Sequence, residues 1–147
     1  MCDLLYKTHE CFSCRFVLKG KWLANYICAR KMERDFNMMK AGIIRCQQTE
    51  DICPGDTDFK VALAGQGAFA ETGPVEIIGF VSCGGCPGKK VLQRAKLFIR
   101  KGVDCIVLAS CMSKGSPIGF PCPHFQQIRD MLGKNIPLGI KILDWTH

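Results

Sequence analysis

The sequence predicts an α/β domain: a small three-layer sandwich around a four-stranded, mostly parallel sheet. Three observations lead there. From residue 41 onward, short apolar runs of strand character alternate with segments of helical periodicity. The run Asp104-Cys-Ile-Val-Leu-Ala-Ser110 is nearly all apolar, as a strand covered on both faces must be. The order strand, helix, strand, helix, strand, helix, strand is that of parallel strands joined by right-handed crossovers.

Each element has its own signal. Ala41-Gly-Ile-Ile-Arg-Cys46 reads as the first strand. Asp56 or Thr57 is placed to cap a helix that runs to about Ala64 and stops near Gly65 and Gly67. Val75-Glu-Ile-Ile-Gly-Phe-Val-Ser82 is the second strand. Pro87 suits the first turn of a helix ending at Lys101, with Gly102 as its stop. Within it Val91, Leu92, Ala95, Phe98 and Ile99 follow a helical spacing. Residues 104–110 form the third strand. His124 to Leu132 is a helix, with Phe125, Ile128 and Leu132 inward and Gly133 closing it. Ile140-Lys-Ile-Leu-Asp-Trp145 is the last strand. The arrangement is Rossmann-like or flavodoxin-like.

Residues 1–38 stand apart as a Cys-rich, helical N-terminal extension. Residues 21–38 read as a helix with Trp22, Leu23, Tyr26 and Ile27 on one face. Cys11-Phe-Ser-Cys14 has the spacing of a zinc knuckle, with Cys28 as a third donor and Cys2 or His9 as a fourth. The main domain then covers 39–147.

Composition narrows the function. The chain has 147 residues, 48% hydrophobic and 22% charged, which excludes a disordered or collagen-like chain. No apolar run approaches the roughly 18 residues that span a bilayer. Asp3, His9 and Glu10 interrupt the first twenty residues, so no secretory leader is expected. The net charge of +7 comes without a zinc-finger helix, an RNP-like motif or a dense basic arm, so nucleic acid is not the expected partner. A helix bearing Lys89, Lys90, Arg94, Lys96, Arg100 and Lys101 reads as a solvated face, or else as a docking face for an acidic partner.

The cysteines carry the functional signal. There are 11, an odd number, in a chain large enough for its own core. That favours a reducing, cytoplasmic setting, with thiols used for metal or redox chemistry. Their placement is not that of core residues. Cys46 ends the first predicted strand, Cys83 the second and Cys111 the third, while His147 follows the fourth. Ligands bind at the carboxyl ends of strands in open parallel sheets. Cys105 lies inside a strand and reads as core.

Strand spacing limits the design. Four strand ends span roughly 14 Å, so one zinc with bonds of about 2.3 Å can collect only neighbouring ends and loop residues. The thirteen-residue stretch Cys111–Pro123, rich in Gly and Pro, leads to Cys122 and His124, and Cys53 follows the first strand. Cys83-Gly-Gly-Cys86 spaces two cysteines to clasp one metal. The same spacing at a helix start suits a redox dithiol. No Ser-His-Asp order, paired-carboxylate pattern or Walker loop is present.

Taken together, the segments Ile43-Ile-Arg-Cys46-Gln-Gln-Thr-Glu, Gly79-Phe-Val-Ser-Cys83-Gly-Gly-Cys86-Pro-Gly-Lys-Lys90, Leu108-Ala-Ser-Cys111, Ile118-Gly-Phe-Pro-Cys122-Pro-His124-Phe and Asp144-Trp-Thr-His147 resemble the CGGC-domain family. The resemblance covers about residues 39–147. It implies metal binding at Cys46, Cys83, Cys86, Cys111, Cys122 and His124, and implies no particular reaction. Zinc is the first expected metal and an iron–sulfur cluster the second. The alternative from a different class is an enzyme: a thiol–disulfide oxidoreductase or a cluster-dependent enzyme using Cys83 and Cys86. The residues leave Cys53 and His147 undecided as ligands.

Overall fold

The computed structural model describes residues 38–147, which lie in the compact unit Asn37–His147. The expected helix over 21–38 and the zinc knuckle of Cys11, Cys14 and Cys28 fall outside the described residues.

Four strands, β1 (Met39–Arg45), β2 (Val75–Ser82), β3 (Cys105–Leu108) and β4 (Lys141–Leu143), form one sheet in the order β2-β1-β3-β4. Every pairing is parallel. The helices are α1 (Asp56–Ala64), α2 (Val91–Arg100), the single turn α3 (Ser110–Ser113) and α4 (Phe125–Asn135). All four residues of β3 are buried, because this central strand is covered on both faces.

The two covered faces can be read from adjacent residues of β2. Phe80 meets Phe59 of α1 edge to face at 4.9 Å between ring centroids. Its neighbour Gly79 points the other way and lies under Phe98 of α2. A methyl group added at Gly79 would sit 2.3 Å from that ring. Gly42, the register partner of Gly79 on β1, meets the same ring at the same distance. Two side-chain-free positions on paired strands thus make the slot that Phe98 fills. α1 therefore packs on one face and α2 on the other, and α4 packs against α2. This is the three-layer sandwich.

Several boundaries differ from the sequence reading. β1 begins at Met39 and ends before Cys46. α1 starts at Asp56 behind Gly55, and no side chain caps it. α2 begins only at Val91, since Gly84, Gly85 and Gly88 all take positive φ and hold 83–90 in turns. The Cys83–Cys86 segment is therefore not on the first turn of a helix. β3 stops at Leu108, so Cys111 sits on α3 rather than at a strand end. α4 runs through Gly133 to Asn135, where tertiary packing outweighs the low helix propensity of one glycine. β4 is only Lys141–Leu143.

Candidate functional site: thiols and an Asp–His pair at the switch point

The chain leaves β1 toward β2 on one side, and β3 lies on the other. This reversal opens a crevice at the carboxyl ends of β1 and β3, where doubly wound sheets bind ligands. Cys46 follows β1 in extended backbone. Its carbonyl accepts the Thr49 hydroxyl at 2.7 Å, which closes the 3-10 turn Gln47–Thr49 over the strand end. Its N–H donates to the Cys111 sulfur at 3.1 Å. The two central strands thus deliver their thiols to one point.

Two further segments complete the group. Cys83 follows β2, and its N–H donates to the Arg45 carbonyl at 2.7 Å, prolonging the β1–β2 ladder. The Cys122 N–H donates to the Met112 carbonyl at 2.9 Å, folding the long loop back on α3. Cys46, Cys83 and Cys111 are 8%, 5% and 7% exposed. Burial pushes the Cys46 thiol up in pKa, charge at Cys83, Cys111 and Cys122 adds to the rise, and the Gln48 N–H opposes it. Burial likewise raises Cys111, the charge at Asp58 adds to the rise, and the hydrogen bond from the Cys46 N–H opposes it. Both shifts favour the neutral thiol at Cys46 and Cys111; a cation beside them would reverse that preference.

The Cys83–Cys86 tetrad separates its own cysteines. Gly84 and Gly85 take φ of 81° and 89°, a backbone that side chains resist. Through this bend Cys83 turns inward and Cys86 comes to the surface. His124 sits half-buried just before α4, where its carbonyl accepts the Ile128 N–H at 3.0 Å. Of the six expected ligands, the fold draws Cys46, Cys83, Cys111 and Cys122 toward one another, while Cys86 is exposed and His124 is half-buried before α4. Among the described residues, no three Cys, His, Asp or Glu side chains lie close enough to hold one metal ion in this arrangement. Cys105 lies in β3 as a core residue, its thiol pushed up to about 11 by burial.

A cavity of about 200 Å³ opens beside Cys111, lined by Arg45, Thr49, Cys53, Asp58, Cys111 and His147. Arg45 donates to the Cys53 carbonyl at 2.7 Å and pairs with Glu50 at 3.6 Å. Asp58 is 4% exposed and lies in the first turn of α1, where the helix dipole favours a carboxylate. It accepts a close hydrogen bond from the Thr146 hydroxyl, and its Oδ1 lies 3.2 Å from His147 Nδ1. Ser110 Oγ accepts the N–H groups of Thr146 at 3.1 Å and His147 at 2.9 Å. It donates to the His147 main-chain oxygen at 2.7 Å. Asp58, Ser110 and Thr146 escaped the sequence reading. Each is a common polar residue in an unremarkable local pattern, and only the sheet order brings 58, 110 and 146 together.

The class is then defined: a doubly wound α/β domain with a cysteine-rich crevice at its switch point. The CGGC domain model matches residues 40–147, and the chain belongs to that family. It is also similar to the uncharacterized protein MJ0582 of Methanocaldococcus jannaschii, 38% identical over 79 residues. That match spans 50% of this chain and 62% of the relative. No solved structure matches the chain.

Proposed function

We propose that this CGGC domain binds a metal through the thiolates of Cys46, Cys83, Cys111 and Cys122. The observation that carries the reading is the Cys46 N–H aimed at the Cys111 sulfur at 3.1 Å, with Cys83 and Cys122 near enough that their charges act on Cys46. Four soft donors from four separate segments lie toward the edge where such folds bind ligands. Backbone N–H donors to sulfur are the outer-shell contacts that steady metal thiolates.

The donor set fits zinc and an iron–sulfur cluster alike in chemistry. A single zinc needs sulfurs about 4 Å apart, given bonds of about 2.3 Å in a tetrahedron. The side chains must therefore rotate together before one ion is held. A cluster distributes its cysteines over several irons and asks less convergence of them. The dithiol alternative has weaker support, because Cys83 is buried while Cys86 faces solvent.

Anaerobic purification followed by metal analysis and a visible spectrum tests the reading. Stoichiometric zinc without colour, or iron and sulfide with a charge-transfer band, supports it. Cys46→Ser and Cys111→Ser should each lower metal affinity by at least about tenfold, while Cys86→Ser should leave it nearly unchanged. A chain that takes up neither metal overturns the proposal. Rapid reversible disulfide formation between Cys83 and Cys86 would instead identify an oxidoreductase.

A further inference from the structure

Helix α2 and the turn before it carry charge that neither the sheet nor the thiol site uses. Residues 89–101 hold six Lys/Arg and no Asp/Glu, whereas the other described residues hold seven and nine. The two signs are thus segregated, while a surface that serves solubility alone intersperses them. Of the seven cations outside this stretch, Arg45, Lys60, Arg129 and Lys141 each pair with a carboxylate. Among the described residues, none of the six within it has such a partner. Arg94 is held by the carbonyl and hydroxyl of Ser82. Lys89, Lys90, Lys96, Arg100 and Lys101 are exposed.

This charge works against the helix that bears it. Lys89 and Lys90 stand at its N-terminus, where the dipole disfavours cations, and its first turn has no acidic residue. Lys96 and Arg100 repel each other one turn apart. At 3.6 residues per turn, Lys90, Gln93, Lys96, Leu97, Arg100 and Lys101 share one stripe about 140° wide and about 16 Å long. Leu97 is 42% exposed and lies one turn from both Arg100 and Lys101. An apolar spot with a charged rim has the layout of a protein contact. The stripe has no aromatic ring on which a base could stack, and Arg94, which could fork a phosphate, is held by Ser82. We propose that this ridge docks an acidic protein surface, whose carboxylates flank an apolar side chain that covers Leu97. The ridge starts at the Cys83–Cys86 turn, where the Lys90 stem lies so close to Gly84 that an added methyl group would meet it at 2.6 Å. A docked partner therefore reaches the turn that bears the exposed Cys86. The ridge is separate from the four thiols and serves whether or not metal binds among them.

The test uses the full chain and a labelled synthetic helix that presents glutamates around a single leucine, with binding read by fluorescence anisotropy. Binding should saturate and weaken as salt rises. Lys96→Glu with Arg100→Glu should weaken it at least about tenfold. Leu97→Ser should weaken it at least about threefold. Lys60→Glu with Lys141→Glu makes the same change in net charge away from the ridge and should alter binding less than about twofold. Lys96→Glu alone should raise the urea midpoint, because the new carboxylate pairs with Arg100, while still weakening the peptide. Absence of binding, equal losses in the two double variants, or indifference to Leu97→Ser overturns the proposal. A midpoint that Lys96→Glu leaves unchanged or lowers also overturns it, since the cations would then serve the helix. Tighter binding of a single-stranded oligonucleotide or of phosphatidylserine vesicles would assign the ridge to nucleic acid or lipid instead. Self-association of the chain that Lys96→Glu with Arg100→Glu abolishes would make the occupant a second copy, and overturns the proposal as well.

Discussion

At the scale of single residues, Thr146 shows how much one hydroxyl can hold. It is fully buried, donates to Asp58 and accepts the Ser110 N–H at 3.2 Å. Thr146→Val keeps the shape and removes both contacts. Loss of the donor to a buried carboxylate should cost about 1–3 kcal/mol, and Thr146→Ser should retain most of that. Denaturant unfolding of the two variants, with the slope checked for constancy, measures the difference. Nothing in the local sequence marks Thr146 for this role. The placement of Cys46, Cys83 and Cys111 was legible, because residues just beyond apolar strands in a parallel sheet share an edge. The inward turn of Cys83 and outward turn of Cys86 were not, since two residues three apart separate only once the backbone of Gly84 and Gly85 is known.

At the scale of elements, the slot for Phe98 joins α2 to β1 and β2. Gly79→Ala places a methyl group 2.3 Å from a buried ring, so α2 must shift or the ring must leave its rotamer. Overpacking of this kind should cost about 1–3 kcal/mol. Adding Phe98→Leu should recover part of the loss, a coupling that a double-mutant cycle reads directly. The helical spacing of Val91, Ala95 and Phe98 made α2 legible, but its start was not. Pro87 is a common first-turn residue, and three glycines in positive φ carry the turn past it.

β3 yields a prediction on pH. Burial raises the Cys105 thiol from its ordinary value of 9.0 to about 11, and Cys46 and Cys111 shift the same way. A raised thiol pKa means that the folded state holds its proton more tightly than the unfolded chain. Stability from this source is complete below pH 9 and declines as pH rises from about 9 toward 11. For Cys105 the loss amounts to about 2–3 kcal/mol. Cys105→Ala should flatten the alkaline slope of metal-free protein while costing a modest cavity at every pH. Urea midpoints between pH 7 and 10.5 follow both effects. A slope as steep in Cys105→Ala as in the parent chain would remove Cys105 from the account.

At the scale of the whole molecule, alternating strands and helices gave away the layers and the parallel sheet, whereas strand order lay beyond the sequence. The order β2-β1-β3-β4 depends on which strand returns beside β1, and local periodicity carries no such information. That order seats β1 beside β3, and so Cys46 beside Cys111. It also lets residues after β4 reach α1 and the turn beyond it, with the Thr146 carbonyl accepting the Ala68 N–H at 3.1 Å and its hydroxyl donating to Asp58. Among the described residues, the buried core formed by the sheet and its helices is drawn from residues 41–136, and the strands pair with one another. A chain starting at Asn37 therefore keeps every strand and core contact described and all four central thiols. It is expected to unfold in one cooperative transition, with fluorescence of Trp145 and far-ultraviolet dichroism giving the same midpoint. It is also expected to retain the metal content of the full chain from Cys46, Cys83, Cys111 and Cys122. Non-coincident midpoints, or a fragment recovered only as aggregate, would show that residues before Asn37 are needed to complete the core. A folded fragment with reduced metal would show instead that those residues contribute ligands.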